Sequence, residues 1–185
     1  MSLPSLLLIG AGGHALACIE AIESDGRYAI AGLVGSPEQI GQQVLGHAVL
    51  GADGELAALR ERHAHALVTV GQVRSPALRQ RLFDLASALG YTLPAIVAAS
   101  ARVSRHAGVG AGTVVMHGAA VNAGARIGRN AIVNGDVELG EGSFIGSGSV
   151  VKEGVRIGRG CLVGMGLAVR HDLPDHTRYT GTSST

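Results

Sequence analysis

The sequence predicts two units: a small α/β domain with a parallel sheet over residues 1–90, and a solenoid of short parallel strands over residues 91–185. Three observations predict this. An aliphatic residue recurs every sixth position, at Val97, Val103, Val109, Val115, Val121, Ile127, Val133, Leu139, Ile145, Val151, Ile157, Val163 and Val169. A period of six fits neither a helix nor an ordinary strand, and suits coils in which each hexad forms one side of a triangle. Glycine often follows the aliphatic residue directly, as at Gly110, Gly128, Gly140, Gly146, Gly158 and Gly164, where it lets the chain turn a corner. Before the solenoid, short apolar runs alternate with helical patterns, as in a parallel α/β sheet. A β-sandwich or another β-solenoid is the alternative for the second half.

The α/β part opens with the strand Leu6 to Ile9, the turn Gly10-Ala11-Gly12-Gly13-His14-Ala15 and a helix to about Ser24. A glycine turn at a helix N-terminus offers free N–H groups and the positive end of the helix dipole, which suits a phosphate. Gly10, Gly12, Gly13 and His14 are therefore candidate substrate-binding residues, His14 for a phosphate or a sugar hydroxyl. A corner that is tight for packing alone is the other reading. A second strand, Ala29 to Val34, ends in Gly35-Ser36-Pro37, without the acidic residue that a dinucleotide-binding fold places there for a ribose; this argues against NAD. A helix from Glu55 to Arg62, a strand within Ala64 to Gly71, and a helix from Ser75 to Leu89 with Leu78, Leu82, Leu85 and Leu89 on one face complete the domain.

Bulk properties exclude several functions. A net charge of +1 with 16% charged residues gives no field for nucleic acid, and 3% aromatics give little surface for stacking bases. No apolar run is long enough to span a bilayer and the first residues lack a basic leader, so a cytoplasmic, soluble protein without a membrane partner is expected. Cys18 and Cys161 read as buried thiols, and no Cys or His cluster has zinc-ligand spacing, so no metal is expected.

The order of parts, with Gly10-Ala11-Gly12-Gly13-His14, the linker Gly90-Tyr91-Thr92-Leu93-Pro94 and the hexads, resembles the NeuD and PglD type of sugar O- or N-acyltransferases. The resemblance implies a Rossmann-like first domain holding a nucleotide sugar, a left-handed parallel β-helix and a homotrimer. It further implies acetyl-CoA as co-substrate, lying in a groove between protomers. The implied activity is acetyl transfer to a nucleotide-linked amino or hydroxy sugar, or to sialic acid. Residues matching the coenzyme groove are Gly146, Ser147, Gly148, Gly164, Met165 and Gly166. That family follows an asparagine, here Asn134, with a Glu-His or Asp-His hexad whose histidine is the general base.

Here Asn134 is followed by Gly135-Asp136-Val137-Glu138-Leu139-Gly140, and that hexad is absent. Val109 and Ile127 are 18 apart, as are Leu139 and Ile157, yet Ile127 and Leu139 are 12 apart, so one side of the coil is expected to slip there. Against the family spacing about four hexads, roughly 24 residues, are missing, a multiple of six that leaves the aliphatic ladder intact. His117, third in its hexad and followed by Asn122 one coil-side later, is the remaining candidate base, and Asn134, in the family's asparagine place, is the other catalytic candidate. His106 and His171 are expected to be structural or exposed. Serine and threonine show no nearby base at a recognisable spacing, so a covalent serine mechanism is not expected. The alternative function is a nucleotide-sugar or coenzyme A binding relative that has lost the base. The chain's last residues, Gly181-Thr182-Ser183-Ser184-Thr185, stand where the family has Gly-Val-Pro-Ala.

Overall fold

A computed structural model describes residues 2–72 and 75–181. The chain divides into two compact units, Met1–Pro94 and Ala95–Thr185.

The first unit holds β1 (Ser5–Ile9), α1 (Gly13–Asp25), β2 (Ala29–Val34), β3 (Gln43–Val44), β4 (His47–Gly51), α2 (Leu56–Arg60), β5 (His65–Val68) and α3 (Ala77–Ala88). Its sheet has the order β3-β4-β2-β1-β5. The strands β4, β2, β1 and β5 are parallel, and β3 joins β4 as an antiparallel hairpin. That hairpin has no counterpart in the sequence reading. Its two-residue turn is Leu45-Gly46, both at positive φ, and leucine is a poor advertisement for such a turn. Leu7, Ile9, Val34, Leu56, Leu59, Val68, Leu82 and Phe83 pack as one core. Tyr91 and Leu93 belong to it, the Tyr91 hydroxyl donating to the Leu56 carbonyl at 2.7 Å, so the expected linker is woven into the α/β unit. The leucine stripe on α3 is only partly an inward face: Leu82 is buried, but Leu78 is 49% exposed and Arg79 takes a buried place instead.

The second unit is a left-handed parallel β-helix, as expected. Its first side stacks Ile96–Val97, Val114–Val115, Ile132–Val133, Val150–Val151 and Ala168–Val169. The second side stacks Arg102–Val103, Ala120–Val121, Glu138–Leu139 and Arg156–Ile157. The third stacks Gly108–Val109, Arg126–Ile127, Phe144–Ile145, Leu162–Val163 and Arg178–Tyr179. The second residue of each of the first pairs points into a shaft where Val115, Val121, Ile127, Val133, Leu139, Ile145, Val151, Ile157, Val163 and Val169 form one cluster. The small residues four places on share that shaft, and the polar ones are satisfied by the next coil. Thr113, Ser143 and Ser149 donate to the carbonyls of Gly128, Gly158 and Gly164, and each hydroxyl also accepts a backbone N–H. Both cysteines are buried thiols, as expected; Cys161 lies in this shaft.

The expected slip does not occur. Ile127 pairs with Ile145, and Leu139 pairs with Val121 and Ile157, so the eighteen-residue coil runs through Asn134-Gly135 unbroken. What changes there is the character of the second side. Its strands are followed by Ser104 and Asn122 before that point and by Gly140 and Gly158 beyond it, whereas the first four strands of the third side are all followed by glycine, at Gly110, Gly128, Gly146 and Gly164.

These post-strand glycines are demanded by coil stacking. A Cβ at Gly110, Gly128 or Gly146 would lie 2.4–2.5 Å from the backbone of the next coil. By contrast the corner glycines Gly142 and Gly154, at φ +66° and +71°, have open space and are needed only for their left-handed backbone. Gly128→Ala should therefore push two coils apart and abolish a cooperative thermal transition near the wild-type midpoint. Gly142→Ala should cost only about 1–2 kcal/mol. Thermal melts of the two variants, side by side, check this.

Candidate functional site

The site is built where the parallel strands of the first unit end. Gly10, Val34, Gly35, Ser36, Ala52, Asp53, Gly54, Thr69, Val70 and Gly71 close around a cavity of about 800 Å3, with the start of α1 on one flank and Leu78 and Leu82 of α3 on another. Such a crevice beyond the carboxyl ends of an open parallel sheet is where this architecture places ligands. Leu78, misplaced by the sequence reading, finds its reason here as an apolar wall of the cavity.

The glycines of the opening turn have different causes. Gly10 has φ +124°, and a Cβ on it would meet Val70 Cγ2 at 2.6 Å, so the fold requires it. Gly12 and Gly13 have ordinary backbone angles and nothing within 4 Å of where a Cβ would be. No neighbour in the described protein crowds a side chain at either. Gly12 is the N-cap of α1, where glycine suits better than alanine, and Gly13 opens the helix, so a bare backbone faces the cavity where a ligand can approach it.

Helix α1 presents its positive end to this turn, with no acidic residue in its first turn. Among the described residues no lysine or arginine lines the cavity. An anion bound there is held by backbone N–H groups and the helix dipole. Gln39 braces the turn from the end of β2, donating to the Ala11 carbonyl at 3.2 Å and accepting from the Ser36 N–H at 3.0 Å. Thr69, fully buried, donates to the Gly10 carbonyl at 2.6 Å.

His14 follows the bare glycines on the cavity wall. Its Nε2 is buried without a hydrogen-bond partner among the described residues, which marks it as a group that a ligand can complete. Burial, aided by the nearby Arg79 guanidinium, pushes its pKa down to about 4. His14 is thus a neutral imidazole at neutral pH, suited to a hydroxyl or a neutral hydrogen bond rather than to charge pairing with phosphate. Arg79 is itself buried on α3, its pKa lowered to about 10 by burial, and its Nη1 donates to the carbonyls of Val68 and Val70 at 2.7 and 2.8 Å. Those bonds fix the end of β5 against the cavity. Burial also pushes the Cys18 thiol up to about 12, which makes it inert.

The acid absent after β2 is supplied one strand further out. Asp53, following β4, lines the cavity and pairs with Arg81 at 3.0 Å. The β3–β4 hairpin, which the sequence reading missed, is what brings it there.

In the solenoid, Asn134 donates through Nδ2 to the Val151 carbonyl at 2.8 Å. Asn122 makes the same bond to the Leu139 carbonyl at 2.9 Å, so this amide closes a coil edge in both places. His117 is exposed, and its Nδ1 lies 2.9 Å from Ser100 Oγ. The sequence reading found no serine near a base; the two residues are seventeen apart and meet only because the coil brings them together.

Gly146 is required by stacking, and Gly148 and Gly166 sit at φ +68° and +67°. Gly164 packs with a Cβ position 3.2 Å from Leu167 Cδ1. Coil geometry thus accounts for these four glycines without a ligand. Ser147 accepts the Arg129 N–H at 3.1 Å, while Met165 stands 75% exposed between its two glycines. His106 is exposed, and His171 is exposed with its ring edge-on to Tyr179 at 5.8 Å. Residues 182–185 of the tail lie outside the described residues. Among the described residues no group of His, Cys, Asp and Glu could hold a metal ion, and no helix is long and apolar enough to cross a membrane.

Two outcomes test this site. Gly13→Ala should leave the melting temperature unchanged or slightly raised, yet weaken binding of a nucleotide-sugar probe at least tenfold in calorimetry. Because the folded His14 resists protonation, the unfolded chain binds more protons between pH 6.5 and about 4, so stability falls as pH drops through that window. Urea melts of His14→Gln over the same range should show a shallower fall.

Comparison with known proteins agrees with this layout. The PglD N-terminal domain family matches residues 5–85, and the hexapeptide repeat of succinyl-transferase matches residues 136–170. No curated protein sequence matches the chain. Among solved structures, a histidine-to-asparagine mutant of perosamine N-acetyltransferase from Caulobacter crescentus, in complex with CoA and GDP-perosamine, is 33% identical, with TM-score 0.65 over 94% of this chain and 92% of that one. The acetyltransferase domain of PglB from Neisseria gonorrhoeae, in complex with acetyl coenzyme A, is 28% identical, with TM-score 0.62 over 95% of each chain. With a glycine-lined cavity at the strand ends of one unit and a hexapeptide β-helix in the other, the chain belongs to the NeuD and PglD type of sugar acyltransferases.

Proposed function

We propose that the protein transfers an acetyl group from acetyl-CoA to the amino group of a nucleotide-linked sugar. The observation that carries the reading is the cavity of the first unit, where two glycines unneeded by packing, a helix N-terminus and an orphaned neutral histidine converge. The diphosphate lies on the N–H groups around Gly12 and Gly13, the nucleoside extends over the ends of β2 and β4, and Asp53 accepts from its hydroxyl or base N–H groups. Nitrogen rather than oxygen as the acceptor is supported by the perosamine N-acetyltransferase among the similar structures. A homotrimer with acetyl-CoA between protomers, in the cytoplasm, completes the reading.

The chemistry asks little of the protein. The thioester is already activated, so an aligned neutral amine, a group to take its proton and a donor for the developing oxyanion suffice.

A second reading, that the chain binds both ligands without turning them over, is favoured by one observation: Gly135 to Gly140 replace the family's base-bearing hexad after Asn134. The Caulobacter mutant supports its plausibility, because replacing a histidine there left a protein that still takes up CoA and GDP-perosamine.

Incubation with acetyl-CoA and GDP- or UDP-linked 4-amino sugars, followed by a thiol reagent, separates the two. Transfer releases CoA thiol in step with loss of the sugar amine. A raised melting temperature with the nucleotide sugar and no thiol release selects the binding reading. Neither effect overturns both.

A further inference from the structure

The corner that follows the first side of the solenoid gathers chemistry that neither the fold nor the sugar cavity uses. Successive coils place Ser100, then His117-Gly118, then Gly135-Asp136 on top of one another, since each coil takes eighteen residues. Ser100 Oγ accepts the Gly118 N–H at 3.2 Å and lies 2.9 Å from His117 Nδ1. With one backbone N–H already pointed at it, this oxygen is placed to accept from Nδ1–H as well, which leaves the lone pair on Nε2 of an exposed ring. The Asp136 N–H donates to the His117 carbonyl at 3.0 Å. Its carboxylate leans over Gly118, so far that a Cβ there would all but coincide with Oδ1.

Asp136 also departs from the rule of this corner. It sits at φ +55°, where the coils before and after use Gly118 and Gly154. Aspartate and asparagine enter this left-handed region more readily than most side chains, and Asn130 does so at another corner, so the backbone admits a carboxylate here. The same corner contains the junction Asn134-Gly135, where the family's base-bearing hexad is missing.

We propose that His117, fixed by Ser100, is the general base of this chain. The inference rests on the acetyltransferase reading above. The acceptor nitrogen attacks the thioester carbonyl carbon and loses its proton to His117 Nε2. The C–S bond then breaks, and the departing CoA sulfur takes the proton from His117, giving the acetamido sugar and CoA thiol. Ser100 is a positioning residue that acts through the ring, and Asp136 acts from the next coil through its charge over Gly118 and its N–H bond to the His117 carbonyl.

The experiment measures steady-state acetyl transfer and ligand affinity in the full chain. His117→Gln should lower kcat roughly a hundredfold, in the range general-base catalysis contributes, while the affinities for CoA and nucleotide sugar stay within about twofold. Imidazole added to His117→Gly should restore part of the rate. Ser100→Ala should lower kcat about tenfold with KM unmoved, and Ser100→Thr should recover it. Asp136→Gly should melt at a higher temperature and turn over more slowly; strain without function would give the first effect and not the second. Full activity of His117→Gln in a protein whose wild type is active overturns this proposal alone. An acetylated Ser100 detected by mass spectrometry also overturns it, because His117 would then serve the serine. An inactive wild type takes down the acetyltransferase reading and this one together.

Discussion

Eighteen residues per coil is the constraint on which the second half of the molecule depends. Each strand of two residues makes too few hydrogen bonds to persist alone, and pairs with the strands eighteen residues before and after it. A side chain's neighbour in space is thus fixed by counting. The inward valines and isoleucines meet their own kind, hydroxyls at Thr113, Ser143 and Ser149 meet the carbonyls they close, and glycine appears wherever two backbones come too near for a Cβ. As in other solenoids, stability accumulates between neighbouring coils rather than in a single central core.

The first unit solves a different problem with little charge. Among its described residues the cavity offers an anion backbone donors and a helix end, and it keeps its histidine neutral by burying it near a cation. A neutral imidazole can be sheltered at modest cost, whereas a free charge in the same place would resist burial. Arg79 shapes the wall through its bonds to Val68 and Val70.

How much of this could be read from residues alone follows from whether the signal is periodic or spatial. The hexads named the solenoid because their repeat is strict, and the glycine turn before α1 named the cavity because glycine, helix start and strand are contiguous. The hairpin of Gln43–Val44 with His47–Gly51 escaped because Leu45-Gly46 lacks the usual turn residues, and with it went Asp53. Leu78 fitted a leucine stripe, yet α3 buries Phe83 and Arg79 and turns Leu78 toward the cavity. Ser100 and His117 looked unrelated at a separation of seventeen, although on a coil of eighteen that separation means adjacency. The coenzyme-groove glycines are ambiguous for another reason: stacking at Gly146 and left-handed corners at Gly148 and Gly166 call for glycine whether or not a ligand lies beside them.

The uninterrupted ladder through Asn134-Gly135 implies a kind of modularity peculiar to a prism. Hexads can be lost or gained without opening the shaft, but a change of one or four of them turns everything downstream by about a third of a revolution, while a change of three restores the old alignment. The interior cannot tell these edits apart; the outside can, since outward residues acquire new companions. A lineage built on such a coil can therefore reassort its exterior wholesale in a single step, with no repacking within, much as the rings of a combination lock are redialled around an unmoved shaft.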